Sequence, residues 1–223
     1  QYDILNQPMK MAAAEAIWNT QQPASLALFA IPDAQTHTNI FSISVPYVLS
    51  FLSNWSFTSS VEGINQIQAT YVHLYGPGNY IPDVLIAFYS FRAMLSVGLL
   101  MVLIAAGGLF LFTWKKQLFN NRWVLRSLVA SIALPYIANT SGWLLGEMGR
   151  QPWAVFGLLK TVNAVSPSVT FAEVIVTLIA FFVLYGILAV IDGYLLFNTA
   201  RKGSSEEVTT VETQEEEQLV VTF

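Results

Sequence analysis

The 223-residue chain has no cysteine and very little charge: ten Lys and Arg, fourteen Asp and Glu, and two His. Without cysteine, a disulfide framework, a zinc–thiolate site and a thiol nucleophile are excluded. Charged residues make up 11% of the chain and hydrophobic ones 54%, whereas an ordinary soluble domain is about a quarter charged. That balance excludes both a typical soluble globule and a disordered protein. No basic patch is present to neutralise phosphates, so nucleic acid is not an expected partner. The net charge of −4 is unevenly spread. Residues 1–202 hold every Lys and Arg against eight acids, and residues 203–223 hold six Glu and no base. The body is slightly basic and apolar, and the acidity belongs to a tail.

What the sequence does have is long apolar runs. A membrane helix needs about 20 such residues, and three stretches qualify, at about 84–114, 127–147 and 174–197. No charge falls between Arg92 and Lys115, and the other two runs begin after Arg126 and Glu173. The fold class expected is an all-α integral membrane protein with three transmembrane helices spread over residues 84–200. Pro135 is placed to kink the second of them. Lys115, Lys116, Arg122 and Arg126 cluster between the first two, and Arg201 and Lys202 follow the third. By the positive-inside rule these bases are cytoplasmic, which puts residues 1–83 outside and the C-terminus in the cytoplasm.

Residues 1–83 read as an external loop with local order. Pro8 to Asn19 suggests a short Ala-rich helix, Phe41-Ser42-Ile43-Ser44-Val45 alternates apolar and polar, and Gly76-Pro77-Gly78-Asn79 signals a turn. The segment must be translocated, yet it lacks the basic and apolar regions of a signal peptide. Earlier membrane helices are therefore expected upstream of Gln1. Residues 201–223 are expected to form a disordered acidic tail.

Polar groups at the membrane carry the functional signal, because each is costly without a partner. Glu147 lies 21 residues after Arg126, and Met94 lies 21 residues before Lys115. At about 1.5 Å per residue, both sit ~30 Å from the basic loop, in one layer near the outer hydrocarbon boundary. A thioether and a carboxylate can each ligate iron. Arg92 and Arg150, close to them in sequence, suit anionic propionates, and glycines at 142, 146 and 149 allow a flat ring to approach the backbone. Trp143 shares a helical face with Glu147. Each residue also has a plainer reading: methionine as packing filler, arginine snorkelling to headgroups, glycines for helix packing. His37 and His73 both lie in the external segment, so histidine ligands are expected from elsewhere. Lys10 and Glu15 offer a second site, a donor and a carboxylate for quinol oxidation. At five residues apart they do not share a helical face. Glu173 and Asp192 carry no assigned role.

These residues resemble subunit I of cytochrome bd quinol oxidase. The run Gly149-Arg150-Gln151-Pro152-Trp153, with Gly142-Trp143 and Glu147 before it, is similar to that family's specific motif. Gln7-Pro8 through Lys10-Met11-Ala12-Ala13 to Glu15-Ala16 resembles the start of its external quinol loop, in the shorter form. Phe91-Arg92-Ala93-Met94 resembles the next helix. Together they cover roughly residues 7–200, in the family's order. The resemblance implies that these are the last three of nine helices, preceded by the N-terminal portion of subunit I. It implies Lys10 and Glu15 at the quinol site. It further implies Met94 as a ligand of low-spin haem b with Arg92 beside it, and Glu147 as a ligand of high-spin haem b or haem d. Arg150 would pair with a propionate and Trp143 would lie between haems. Oxidase subunit II, a small single-helix accessory subunit, membrane lipid and quinone are the implied partners. The implied reaction passes electrons from quinol through haems b to a haem d that reduces O2 to water, contributing to the proton gradient of a bacterial plasma membrane. Two other classes fit the hydropathy alone: a transporter or channel with Arg92, Glu147 and Asp192 along a solute path, and a non-catalytic scaffold.

Overall fold

A computed structural model describes residues 2–114 and 121–202. The Lys115–Lys116 pair and the acidic tail from Gly203 lie outside the described residues. The chain divides into two units, residues 1–165 and 166–223.

In the first unit, α1 (Tyr2–Asn6) leads into α2 (Pro8–Ala14), which Pro8 starts in the first turn, where a missing N–H costs nothing. The helix expected to reach Asn19 stops after Ala14. Ala16 takes a left-handed φ of 51°, and Ile17 N–H donates to Ala12 O while Ala16 N–H donates to Ala13 O. This is a Schellman ending with alanine where glycine is usual, a strain of about 1 kcal/mol held next to Glu15.

A hairpin follows, β1 (Leu26–Asp33) against β2 (Thr38–Val45), then α3 (Val48–Asn54) and α4 (Ile64–Tyr75). The alternation at 41–45 is β2. Gly63, just before α4, is needed because a Cβ there would sit 2.4 Å from the Asn19 backbone. The fold is mostly helical as expected, with this hairpin and a smaller one, β3 (Trp153–Val155) and β4 (Leu159–Lys160), added in the connecting segments.

Helix α5 runs Val84–Trp114. The second span begins earlier than its apolar run suggested, at Arg122, and is broken into α6 (Arg122–Ser131) and α7 (Leu134–Met148). Pro135 in the first turn of α7 is the cause: it has no N–H to donate, and its ring collides with the carbonyl four residues back. The chain tightens there through Ile132 N–H to Val129 O and Ala133 N–H to Ala130 O. Helices α5 and α7 pack on each other. One core joins the N-terminal segment to α5 and α7, with Ala13, Ile64, Ile67, Tyr80, Val84, Ala87, Phe88, Leu145 and Trp153 buried. Each large apolar side chain buried there contributes about 2 kcal/mol. Further along α5, Leu95, Leu99, Leu103 and Leu109 remain exposed.

The second unit is built on α8, Phe171–Lys202, so Arg201 and Lys202 extend a helix rather than begin the tail. Glu173 accepts from Thr170 N–H at 2.8 Å, and Glu173 N–H faces Thr170 Oγ1 at 3.4 Å. Thr170-Phe171-Ala172-Glu173 is a capping box, which accounts for Glu173. Asp192 is exposed on α8. Three segments are thus long and apolar enough to cross a membrane: Val84–Trp114, Arg122–Met148 and Phe171–Arg201.

Candidate functional site

Glu15 follows the last residue of α2 and is 4% exposed. It is no solvated surface charge. Its Oε2 accepts from Arg92 Nη2 at 2.7 Å. Arg92 Nε donates to Ala27 O at 3.1 Å, Nη1 donates to Ala14 O, and Nη2 also donates to Ala27 O. The guanidinium stands over the Phe88 ring, 3.8 Å from its centroid. Arg92 therefore does not snorkel. It ties the end of α2 and strand β1 to α5, and all its directions are used within the N-terminal segment. Burial pushes the Glu15 carboxyl above its ordinary pKa, and the charge and hydrogen bonds of Arg92 pull it partly back.

Lys10 takes the other side of α2. Its chain crosses Gly149, where a Cβ would stand 2.8 Å from Lys10 Cγ. Only glycine permits that approach. Lys10 lines a cavity of about 140 Å³ with Gln7, Tyr71, Arg150, Gln151 and Trp153; Glu15 is not among its walls. Tyr71 and Trp153 are each 5% exposed, and Tyr71 Oη and Trp153 Nε1 have no hydrogen-bond partner of normal geometry among the described residues. A buried polar atom left so costs about 1–3 kcal/mol. Burial pushes the Tyr71 hydroxyl up to about 12, and the nearby Met9 amide offsets this only in part. The walls are aromatic: Tyr80 stacks on Trp153 with centroids 5.6 Å apart, and Tyr71 meets Tyr80 edge-on at 6.0 Å. Lys160 Nζ caps them, 4.5 Å from the Tyr80 ring centroid and 3.2 Å from its hydroxyl. An apolar cavity of about 150 Å³ takes benzene, so one ring fits here. Trp153 is visible in the sequence as the end of a motif. Tyr71 and Tyr80 carry no signal there, because only packing brings them to Lys10.

Met94 is partly buried on α5, its Sδ 3.0 Å from where a Cβ on Gly142 would be. Five residues on from Gly142, Glu147 lies ~140° further round α7, on a different side of that helix from the one Met94 meets. Glu147 pairs with Arg150, and both side chains are about two-fifths exposed, 41% and 42%. Trp143 is 64% exposed, and nothing lies within 4 Å of a Cβ built on Gly146. This face of α7 is open, with a carboxylate, an arginine and an indole side by side. Thioether and carboxylate are groups that can ligate iron, and the open glycine would admit a flat ring, so the residues present fit a haem that Met94 or Glu147 would help to hold. His37 stacks on Trp18 at 5.1 Å and bonds Asn65 Oδ1 through Nδ1 at 2.8 Å, while His73 is exposed on α4. Among the described residues no three His, Cys, Asp or Glu gather as a metal site.

The family profile described as "Cytochrome bd terminal oxidase subunit I" matches residues 2–204. A cytochrome bd ubiquinol oxidase subunit 1 from Bacillus subtilis is 42% identical over 203 residues, covering 91% of this chain and 43% of the relative. A cytochrome bd-II ubiquinol oxidase subunit 1 from Escherichia coli is 28% identical over 267 aligned residues, covering 94% and 52%. The solved structure of a bd oxidase from Geobacillus thermodenitrificans superposes with a TM-score of 0.72 at 30% identity, covering 91% of this chain and 44% of that one. The chain thus spans about half the length of the relatives it matches or less.

Proposed function

Since the chain belongs to the cytochrome bd terminal oxidase subunit I family, we propose that it is a working part of a membrane quinol:O2 oxidoreductase, and that the cavity beside Lys10 takes the quinol ring. The observation that carries this reading is the aromatic cavity that Tyr71, Tyr80 and Trp153 line together with Lys10, with the buried donors Tyr71 Oη and Trp153 Nε1 belonging to its walls. Donors on several sides of a ring-sized space suit a ring bearing oxygens. Quinol oxidation must release two protons and two electrons. Lys10, Tyr71 and Trp153 hydrogen-bond the ring oxygens and orient them. Glu15, outside the cavity wall and held by Arg92, is the carboxyl offered to a released proton, its pKa raised by burial.

In this reading residues 1–83 lie outside a bacterial plasma membrane, and the loop before Arg122 lies in the cytoplasm. Met94 offers its sulfur to a low-spin haem b, and Glu147 its carboxylate to high-spin haem b or haem d, with Arg150 for a propionate and Trp143 against the ring. When bound, the haems supply one-electron relay and the reduction of O2 to water. The remaining ligands come from the rest of subunit I, and subunit II completes the complex. Membership of the family sets aside the transporter and scaffold readings.

The test uses the complete oxidase carrying Lys10→Met, Tyr71→Phe or Trp153→Phe. Each loses one hydrogen bond, so KM for quinol in O2-consumption assays should rise about tenfold, with reduced-minus-oxidised haem spectra unchanged. Wild-type KM in all three would overturn the assignment of the cavity.

A further inference from the structure

The β1–β2 hairpin turns large apolar side chains outward. Ala27 and Ala30 of β1 turn to the core, while Ser44 and Ser42, paired with them on β2, are exposed. A register irregularity at Leu28 then places Phe29 opposite Ile43, and Ile31 opposite Phe41. These four and Val45 make up the outer face, each between 37 and 52% exposed. A hairpin facing water should carry polar residues on its outer face. Between Asp33 and Glu62 the sequence has no acidic or basic side chain apart from His37.

The hairpin is fixed at a definite height on α5. Tyr89 Oη donates to Ala30 O at 3.0 Å, Arg92 Nε donates to Ala27 O at 3.1 Å, and Phe29 packs edge-on against Tyr89 at 6.2 Å. Helix α5 has 31 residues, ~46 Å at 1.5 Å each, about 16 Å more than the ~30 Å hydrocarbon layer. Counting about 20 residues back from Trp114 puts the hydrocarbon boundary near Met94. Tyr89 and Arg92 then fall within ~8 Å beyond it, among the lipid headgroups. The outer face continues onto the exposed Leu85 and Tyr89 of α5.

We propose that the outer face of this hairpin is a lipid-contacting surface, resting Phe29, Ile31, Phe41 and Ile43 on the headgroup–acyl boundary beside α5. Apolar and aromatic side chains without charge are what that boundary favours, and the lack of charge makes neutral lipid sufficient. A surface of this kind anchors the Lys10–Glu15 segment at the height from which a membrane-dissolved substrate arrives. The inference rests on the membrane reading of α5 and not on the quinol assignment.

The test is spin labelling of single cysteines at Phe41, Ile43, Ser42 and Gln35 in the complete oxidase, reconstituted in phosphatidylcholine nanodiscs. The absence of native cysteine in this chain favours it. Labels at Phe41 and Ile43 should collide with O2 several-fold more, relative to a water-soluble nickel chelate, than the label at Gln35 in the hairpin turn. Chelate access equal to that at Gln35 would mean a water-exposed face, and low access to both reagents would mean a protein partner; either overturns the proposal. Quinol turnover, measured separately, leaves the two readings distinguishable.

Discussion

Arg92 and Glu15, 77 positions apart, form a 2.7 Å ion pair between a membrane helix and the segment that precedes it. The backbone carbonyls of Ala14 and Ala27 accept from the same guanidinium. The pair makes the end of α2, strand β1 and α5 one mechanical piece.

Removing the carboxylate should loosen it. Glu15→Leu leaves Arg92 buried with carbonyls only, and breaking such a pair costs about 3 kcal/mol. Hydrogen exchange in α2 and β1 of the complete oxidase should accelerate, while the Trp114 end of α5 stays protected. Equal exchange in the two proteins would mean the pair is not structural.

The same carboxyl sets a pH dependence. Its folded pKa lies above the ordinary 4.5, so the folded protein holds this proton more readily than the unfolded chain. The stabilisation is complete below about pH 4.5 and is lost as pH rises through the raised value. Glu15→Gln carries no titration and should flatten that part of the stability profile measured by thermal unfolding. A profile that keeps its slope would assign the slope to another group.

Gly149→Ala should displace Lys10, because the new methyl meets Lys10 Cγ at 2.8 Å and Leu145 O at 2.6 Å. Overpacking of this kind costs about 1–3 kcal/mol. Quinol KM should rise with haem spectra retained, whereas an unaltered KM would show that Lys10 does not act from that position.

For the proposed low-spin haem, Met94→Leu should abolish or shift the reduced low-spin band. Gly142→Ala is the subtler probe, since its methyl would sit 3.0 Å from Met94 Sδ and must move the sulfur by a few tenths of an ångström. A small band shift is expected; identical spectra in both variants would refute the ligand role.

Glu147→Gln removes the carboxylate that Arg150 holds and should alter the high-spin haem spectrum without changing the low-spin band. Both side chains are about two-fifths exposed, so fold stability should change by less than ~1 kcal/mol. A spectrum indifferent to the change would leave Glu147 as a surface salt bridge.

Much of the fold is legible in the amino-acid order. Long uncharged runs announce membrane helices because hydrocarbon penalises every charge and every unpaired backbone group. The motif from Gly149 to Trp153 points to its family by composition and order alone. The break at Pro135 follows from its ring and missing N–H. The capping box at Thr170 and Glu173 is equally present in the sequence, as a four-residue signal within one turn.

By itself, then, the sequence determined what is local or periodic: three spans, their caps and breaks, and the residue types able to bind haem or quinol. Only the tertiary structure decided how those residues are used. It turned Arg92 from the membrane surface to Glu15, sent Lys10 over Gly149 into a cavity with Tyr71 and Trp153, and put the apolar face of the hairpin outward. The reason is physical. Spacing along a helix records direction within about one turn, whereas these contacts join residues 60 to 140 positions apart, and such pairs are chosen by shape and burial across elements that share no sequence period.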